Sequence, residues 1–110
     1  MIALIGFGYW GKVYFKYLNH KKKIYIYTKN PVNIKKNEYK NCVFTSDLNK
    51  IISNPKISHI FVVTPIETHF EISKKFLFKK KKVLSEKPLI LNKKQSELID
   101  YKFKNNLFVS

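Results

Sequence analysis

Short apolar runs recur along the chain and predict six β-strands. The runs are rich in Ile, Val, Phe and Tyr, and clusters of Lys, Asn, Ser and Pro separate them, which is typical of strands and their connections. Their centres are continuously apolar, as expected of parallel strands that are covered on both faces. The predicted strands are Ile2–Ile5, Ile24–Tyr27, Cys42–Phe44, His59–Val63, Lys82–Ser85 and Leu107–Val109.

Segments with helical spacing lie between these runs and predict four helices. The first helix has one stripe that we expect to be buried, formed by Trp10, Val13, Tyr14, Tyr17 and Leu18. Ser46 is the expected N-cap of the second helix. That helix is expected to bury Leu48, Ile51 and Ile52.

The third helix is expected to open with a capping box, in which the side chains of Thr68 and Glu71 bind free amides. It is expected to bury Ile72, Phe76 and Leu77. The fourth helix begins near Asn92 and carries Leu98, Ile99 and Phe103. This alternation of strands and helices predicts an α/β fold, a Rossmann-type doubly wound parallel sheet, with residues 1–110 as a single domain.

Length and composition narrow the class of protein. The chain has 110 residues, of which 45% are hydrophobic and 15% aromatic, enough for one folded domain with a core. No apolar run approaches the roughly 20 residues of a membrane span. The start leads directly into a motif and lacks the features of a signal peptide. The single Cys42 excludes an internal disulfide. We therefore expect a cytoplasmic protein.

The formal net charge is +15, and all 22 basic residues are Lys. A nucleic-acid-binding surface usually includes Arg, whose forked guanidinium matches phosphates and base edges. The abundance of Lys, Ile, Asn, Phe and Tyr is the pattern expected from A/T-rich codons. Codon bias with solubility is therefore the favoured explanation, a general anion-attracting surface comes next, and a nucleic-acid face comes last.

The stretch "GFGYWG" places Gly6, Gly8 and Gly11 in the spacing G-x-G-x-x-G. In such loops the first glycine permits a tight turn, the second lets a pyrophosphate approach the backbone, and the third allows close packing of helix and sheet. Here the motif follows a predicted strand and opens a predicted helix, which is its confirming context. These are the chain's only three glycines. The loop, including Phe7, Tyr9 and Trp10, is a predicted dinucleotide site.

The end of the second strand bears on the choice between NAD and NADP. An NAD site usually has an acidic residue there, bound to the ribose 2′-hydroxyl. In this chain Thr28 takes the place of the acid, and Lys29 follows it. A cation at that point could bind a 2′-phosphate, which favours NADP. The alternative, that Lys29 is one more surface lysine, stays open.

Two further loops are expected at the same edge of the sheet. Thr64 and Pro65 follow the fourth strand, and "SEKP" follows the fifth. The carboxyl ends of parallel strands meet at one edge, where ligands bind in open α/β sheets. Each loop alone could be simple turn chemistry, but three together indicate a site. The three histidines lack ligand spacing with one another, so no metal site is predicted.

The motifs "GFGYWGK", "VVTPIETH" and "VLSEKPL", in this order, resemble the nucleotide-binding half of the glucose–fructose oxidoreductase/inositol dehydrogenase/MocA family. The similarity covers essentially the whole chain. The Tyr-Trp-Gly form of the glycine loop is similar to members that act on sugar nucleotides, such as UDP-N-acetyl sugar 3-dehydrogenases. The resemblance implies hydride exchange between a nicotinamide and a sugar carbon, with a sugar or sugar nucleotide as substrate.

The resemblance also implies roles for individual residues. Lys87 would lie beside the nicotinamide and polarise or deprotonate the substrate hydroxyl, Glu86 would contact the nicotinamide ribose, and Pro88 would fix the turn. Thr64, Pro65 and His69 would line the path of the cofactor. A partly buried lysine can serve as the proton acceptor for alcohol oxidation. The alternative for Lys87 is an ion pair with Glu86 at a strand end.

The chain departs from the family in two ways. Lys80 replaces a glycine that is common before the fifth strand, at a cost of about 1 kcal/mol if the position is left-handed. The family's second domain, which supplies substrate contacts and usually the oligomer interface, is missing. We therefore expect a truncated dehydrogenase that binds cofactor with little or no turnover and exposes apolar surface. A non-catalytic dinucleotide-binding or sensor module is the alternative.

Overall fold

The computed structural model describes residues 1–18, 20–89, 92–99 and 103–109, except for the side chains at positions 33 and 36. The strands are β1 (Ile2–Ile5), β2 (Ile24–Tyr27), β3 (Cys42–Thr45), β4 (His59–Val62), β5 (Lys82–Ser85) and β6 (Leu107–Val109). They form one six-stranded sheet in the order β3-β2-β1-β4-β5-β6. Every neighbouring pair is parallel. The predicted Rossmann-type sheet is confirmed.

The predicted strands are confirmed to within one residue, since only the ends of β3 and β4 differ. The helices are α1 (Tyr9–Lys16), α2 (Leu48–Ile52), α3 (His69–Phe78) and α4 (Lys93–Leu98). Short 3-10 turns occupy Pro31–Asn33, Lys36–Glu38 and Ile66–Thr68. The fourth helix begins after Asn92 as expected, and its predicted course to Phe103 crosses positions 100–102, which lie outside the described residues. None of the described helices is long and apolar enough to cross a membrane.

Apolar side chains cover both faces of the sheet, which explains the continuous apolar strand centres. One face, with Ile5 and Val62 buried, packs against α2, α3 and the residues after α4, and Phe76 of α3 is buried in this layer. The other face, with Leu4 and Ile26 buried, packs against α1. A parallel sheet between two helical layers places every strand's carboxyl end at one edge, which is where the candidate site forms.

Two predicted helix caps are wrong. Asp47, not Ser46, is the N-cap of α2, because its carboxylate accepts a hydrogen bond from the Asn49 amide at 3.0 Å. At α3 the Thr68 side chain does not cap the helix. Its Oγ1 lies 2.7 Å from Thr64 Oγ1 and 2.6 Å from the Pro65 carbonyl oxygen, because a 3-10 turn precedes α3 and directs this side chain backwards.

The buried stripe predicted for α1 is wrong at two positions. Trp10 is 58% exposed and Tyr17 is 85% exposed, whereas the other three members are partly buried. Trp10 stands in the first turn, at the open edge of the sheet. Tyr17 lines an open apolar groove of about 390 Å³ with Val13, Tyr14, Leu18 and Phe61. Lys80 has a left-handed backbone with φ of 59°, which meets the condition under which its replacement of glycine costs about 1 kcal/mol.

Candidate functional site

The first glycine of the loop fits a position that excludes any side chain. Gly6 has φ of 104°, which L-residues rarely adopt, and a Cβ atom there would lie 2.8 Å from the Val63 carbonyl oxygen. Its amide donates a hydrogen bond to the Tyr27 carbonyl oxygen at 3.0 Å. Gly6 therefore fixes the start of the loop between the ends of β2 and β4.

The other two glycines differ in whether the fold requires a glycine at their positions. A Cβ atom on Gly11 would lie 2.2 Å from the Gly6 carbonyl oxygen, so this position requires glycine for packing. A Cβ atom on Gly8 would have no neighbour within 4 Å, and its φ of −81° suits any residue. The fold does not require glycine at Gly8, and the space in front of it is where loops of this spacing admit a pyrophosphate.

The loop continues into the amino end of α1, where Gly8 is the N-cap without a side-chain hydrogen bond. The first amides of a helix have no intrahelical acceptor and carry partial positive charge. Such amides bind phosphate oxygens readily. The open space at Gly8 together with these amides fits the diphosphate of a dinucleotide.

A cleft of about 410 Å³ opens at this edge, next to the loop. Its described lining contains one cation, Lys29, and no carboxylate, so it suits an anionic ligand. The Thr28 amide donates to the Thr45 carbonyl oxygen at 3.0 Å and thereby anchors the segment that carries Lys29. The lining residues are Gly6, Phe7, Gly8, Tyr9, Trp10, Tyr27, Thr28, Lys29, Val63, Thr64 and Pro65.

Nine of these residues follow from the sequence, and two were missed. Tyr27 and Val63 were assigned to strands only, although their position at the carboxyl ends of strands was a signal for the site. Five predicted site residues lie outside the cleft lining: Gly11, His69, Glu86, Lys87 and Pro88.

His69 connects two loops behind the cleft. The side chain is 2% exposed. Its Nε2 lies 2.6 Å from the Thr64 carbonyl oxygen, and its Nδ1 lies 3.0 Å from the Pro88 carbonyl oxygen. One imidazole therefore holds the loop after β4 against the loop after β5.

The Glu-Lys-Pro loop is fixed at its first residue. The Glu86 amide donates to the Val62 carbonyl oxygen at 2.9 Å. The Glu86 carboxylate accepts hydrogen bonds from the Tyr14 hydroxyl at 2.6 Å and from the Lys87 amide at 3.1 Å. The Lys87 side chain is exposed, and the Lys87–Pro88 peptide bond is cis. Hydrogen bonds at Glu86 therefore anchor a loop whose lysine side chain is exposed to solvent.

The contact of Tyr14 with Glu86 was not foreseen, because Tyr14 was assigned to the buried stripe of α1. The two residues are 72 positions apart, and no local pattern indicates such a pair. Among the described residues, no group of three His, Cys, Asp or Glu side chains is placed to hold a metal ion.

Comparisons with known proteins identify the family and agree with the fold. Residues 1–106 match the family model GFO_IDH_MocA, described as an oxidoreductase family with an NAD-binding Rossmann fold. The uncharacterized oxidoreductase YhhX of Escherichia coli strain K12 is 40% identical over 50 residues, which make up 46% of this chain and 14% of YhhX.

Two solved structures show how much of the relatives the chain spans. An oxidoreductase from Bacillus cereus is 26% identical with a TM-score of 0.74, and the match covers 98% of this chain and 33% of that one. An apo scyllo-inositol dehydrogenase from Lactobacillus casei is 22% identical with a TM-score of 0.80, covering 99% of this chain and 35% of that one. At this identity the second likeness shows the fold. The chain spans about a third of the length of both structures.

Proposed function

Because the chain belongs to the Gfo/Idh/MocA oxidoreductase family through its NAD-binding Rossmann domain, we propose that it is the cofactor-binding half of an NAD(P)-dependent oxidoreductase. The reaction transfers a hydride between the nicotinamide and a hydroxyl or ketone carbon of a sugar or sugar nucleotide. The observation that carries the proposal is the open space at Gly8, where a Cβ atom would have no neighbour within 4 Å. A glycine that the fold does not need is explained by a ligand that approaches the backbone there.

Different residues of the cleft bind different parts of the cofactor. The amides from Gly8 onwards hold the pyrophosphate at the start of α1. Thr28 and Lys29, at the end of β2, receive the adenosine ribose, and the cation of Lys29 favours the 2′-phosphate of NADP over NAD. Thr64 and Pro65 line the path on the other side of the loop. His69 supports this path from behind by holding the Thr64 and Pro88 carbonyl groups together.

The Glu-Lys-Pro loop provides the acid–base chemistry. When bound, the nicotinamide accepts or supplies the hydride. Oxidation of an alcohol also removes a proton from the hydroxyl oxygen, and Lys87 Nζ takes that proton; in the reverse direction it returns the proton to the ketone oxygen. Glu86 binds the nicotinamide ribose with its fixed carboxylate, and Pro88 keeps the turn that follows.

In our proposal, the residues that bind the substrate belong to a part of the protein outside this chain. The chain spans about a third of the length of the solved relatives. Apolar side chains stand exposed on its surface, among them Tyr17, Phe108 and Val109, as expected of a domain that normally packs against another. We expect the isolated chain to bind the cofactor with little or no turnover. The proposal would be supported if the native product in its source cell had two to three times the mass of this chain.

A native product of this size would instead favour a second function, a non-catalytic dinucleotide-binding module. The exposure of Lys87, outside the cleft lining, is compatible with it. The two functions differ in what Lys87→Ala does in the longest native form. An oxidoreductase loses most of its turnover and keeps its affinity for cofactor, whereas a binding module shows no effect on either.

Titration of the isolated chain with NADH and NADPH tests cofactor binding. Trp10, the only tryptophan, lines the cleft, so its emission should be quenched or shifted by either cofactor. Gly8→Val should abolish this response while the thermal unfolding curve stays close to that of the unchanged chain, because the added Cβ atom would meet nothing within 4 Å. A Gly8→Val variant that binds as well as the unchanged chain would remove the basis of the proposal.

A further inference from the structure

A tyrosine of the first helix fixes the carboxylate of the Glu-Lys-Pro loop. The Tyr14 hydroxyl donates a hydrogen bond to Glu86 Oε1 at 2.6 Å in a partly buried setting. Tyr14 lies in the last turn of α1, and Glu86 follows β5 directly. This contact joins the helix that starts at the phosphate loop to the loop that carries Lys87.

The sheet explains how Tyr14 reaches so far. Its ring packs beside Phe61 of β4, with ring centroids 6.2 Å apart. Phe61 is in register with Leu4 of β1 and Leu84 of β5. Tyr14 therefore crosses above the strand that separates β1 from β5, and its hydroxyl arrives at the carboxyl end of β5.

Glu86 also forms hydrogen bonds with backbone groups of two other residues. Glu86 Oε2 accepts from the Lys87 amide at 3.1 Å, and the Glu86 amide donates to Val62 at 2.9 Å. The Tyr14 hydroxyl sets the rotation of the carboxylate by holding its other oxygen. Hydrogen bonds to an ionised acceptor are short and comparatively strong, so the loop loses orientation when this donor is removed.

We propose that Tyr14 is a positioning residue, which orients Glu86 for the nicotinamide ribose and holds the base of the Lys87 loop. This inference rests on the proposed function, because it assumes that Glu86 faces the nicotinamide half of the cofactor. Tyr14 is not part of the cleft lining, so its effect passes through Glu86.

Calorimetric titration with NADH and with ADP tests this role. ADP carries the adenosine and diphosphate but lacks the nicotinamide ribose. Tyr14→Phe should weaken NADH binding about tenfold and leave the affinity for ADP unchanged. Tyr17→Phe is the matched control, since Tyr17 follows the same helix and is 85% exposed; it should change neither affinity. Thermal unfolding of each variant shows whether it is folded.

A double-mutant cycle with Glu86→Ala, which removes the acceptor of the Tyr14 hydroxyl, makes the test independent of any one variant. Glu86→Ala should cause the same selective loss for NADH, and adding Tyr14→Phe to it should weaken binding no further. The inference is overturned if Tyr14→Phe binds NADH as well as the unchanged chain does, or if Tyr14→Phe weakens NADH and ADP equally. Failure of the unchanged chain to bind NADH, NADPH or ADP would instead refute the proposed function.

Discussion

A Cβ atom on Gly11 would lie 2.2 Å from the carbonyl oxygen of Gly6, closer than packed atoms approach. The first turn of α1 therefore rests directly on the backbone of the phosphate loop. Gly11→Ala forces this backbone apart, and we expect it to lower the free energy of unfolding by about 3 kcal/mol or more. Denaturant unfolding measures the loss.

Gly8→Ala is the control for this prediction, because its Cβ atom would meet nothing within 4 Å. It should cost about 1 kcal/mol or less, the difference between glycine and alanine at an N-cap. Equal stability of Gly11→Ala and the unchanged chain would contradict the packing of α1 on the loop.

His69 supplies a second prediction, on the link between the loops after β4 and β5. His69→Ala leaves the Thr64 and Pro88 carbonyl oxygens without the imidazole and opens a cavity at a side chain that is 2% exposed. We expect the free energy of unfolding to fall by about 2–4 kcal/mol. The matched control is His59→Ala, at an exposed position at the start of β4, which should change stability by about 0.5 kcal/mol or less. Similar losses in the two variants would show that the bridge contributes nothing.

The fold was predictable because its main signals are local. Each strand has a continuously apolar centre, and three glycines at fixed spacing mark the turn between β1 and α1. The alternation of strands and helices predicted the parallel sheet, but the order of its strands was not predicted, since no local pattern states which strands pair. Parallel strands then place the three unusual loops at one edge, so most of the cleft lining was predictable.

The errors concern contacts that sequence spacing does not encode. Trp10 and Tyr17 fit the buried stripe by spacing, but burial depends on what covers α1, and both side chains are exposed. Thr68 begins a stretch with the residue spacing of a capping box. However, its hydroxyl group donates a hydrogen bond to the hydroxyl group of Thr64, four positions earlier, and does not cap the helix. The hydrogen bond from Tyr14 to Glu86 joins segments that are distant in the sequence, so predicting it requires knowledge of the folded sheet.

Lys81 gives a third prediction, at the opposite edge of the sheet. The side chain is 6% exposed, and its Nζ donates to the Asn54 carbonyl oxygen at 2.8 Å and to the Ile57 carbonyl oxygen at 2.6 Å. Lys81→Met removes both donors and should lower the free energy of unfolding at neutral pH by about 1–3 kcal/mol. Lys82→Met, at the exposed neighbouring position, should change it by about 0.5 kcal/mol or less.

The effect of Lys81 should also depend on pH. Burial lowers the pKa of Lys81 below its ordinary value of 10.5. Between the two values the unfolded chain binds more protons than the folded chain, so the contribution of Lys81 to stability rises with pH in this alkaline range. Below both pKa values that contribution is constant. The difference in stability between the unchanged chain and Lys81→Met should therefore grow as the pH rises towards 10.5; a difference that shrinks would contradict the burial of the ammonium group.

The last prediction concerns the choice of cofactor at Lys29, which lines the cleft at the end of β2. If its ammonium group binds the 2′-phosphate, Lys29→Ala should weaken NADPH binding about tenfold and leave NADH binding nearly unchanged. Lys23→Ala is the matched control, because Lys23 is exposed and precedes the start of the same strand, at the opposite edge of the sheet. Fluorescence titration of Trp10 with both cofactors at low and moderate salt measures the ratio of affinities. If both substitutions weaken NADPH binding equally, and this weakening disappears as salt increases, any NADPH preference comes from the net charge of +15 rather than from Lys29.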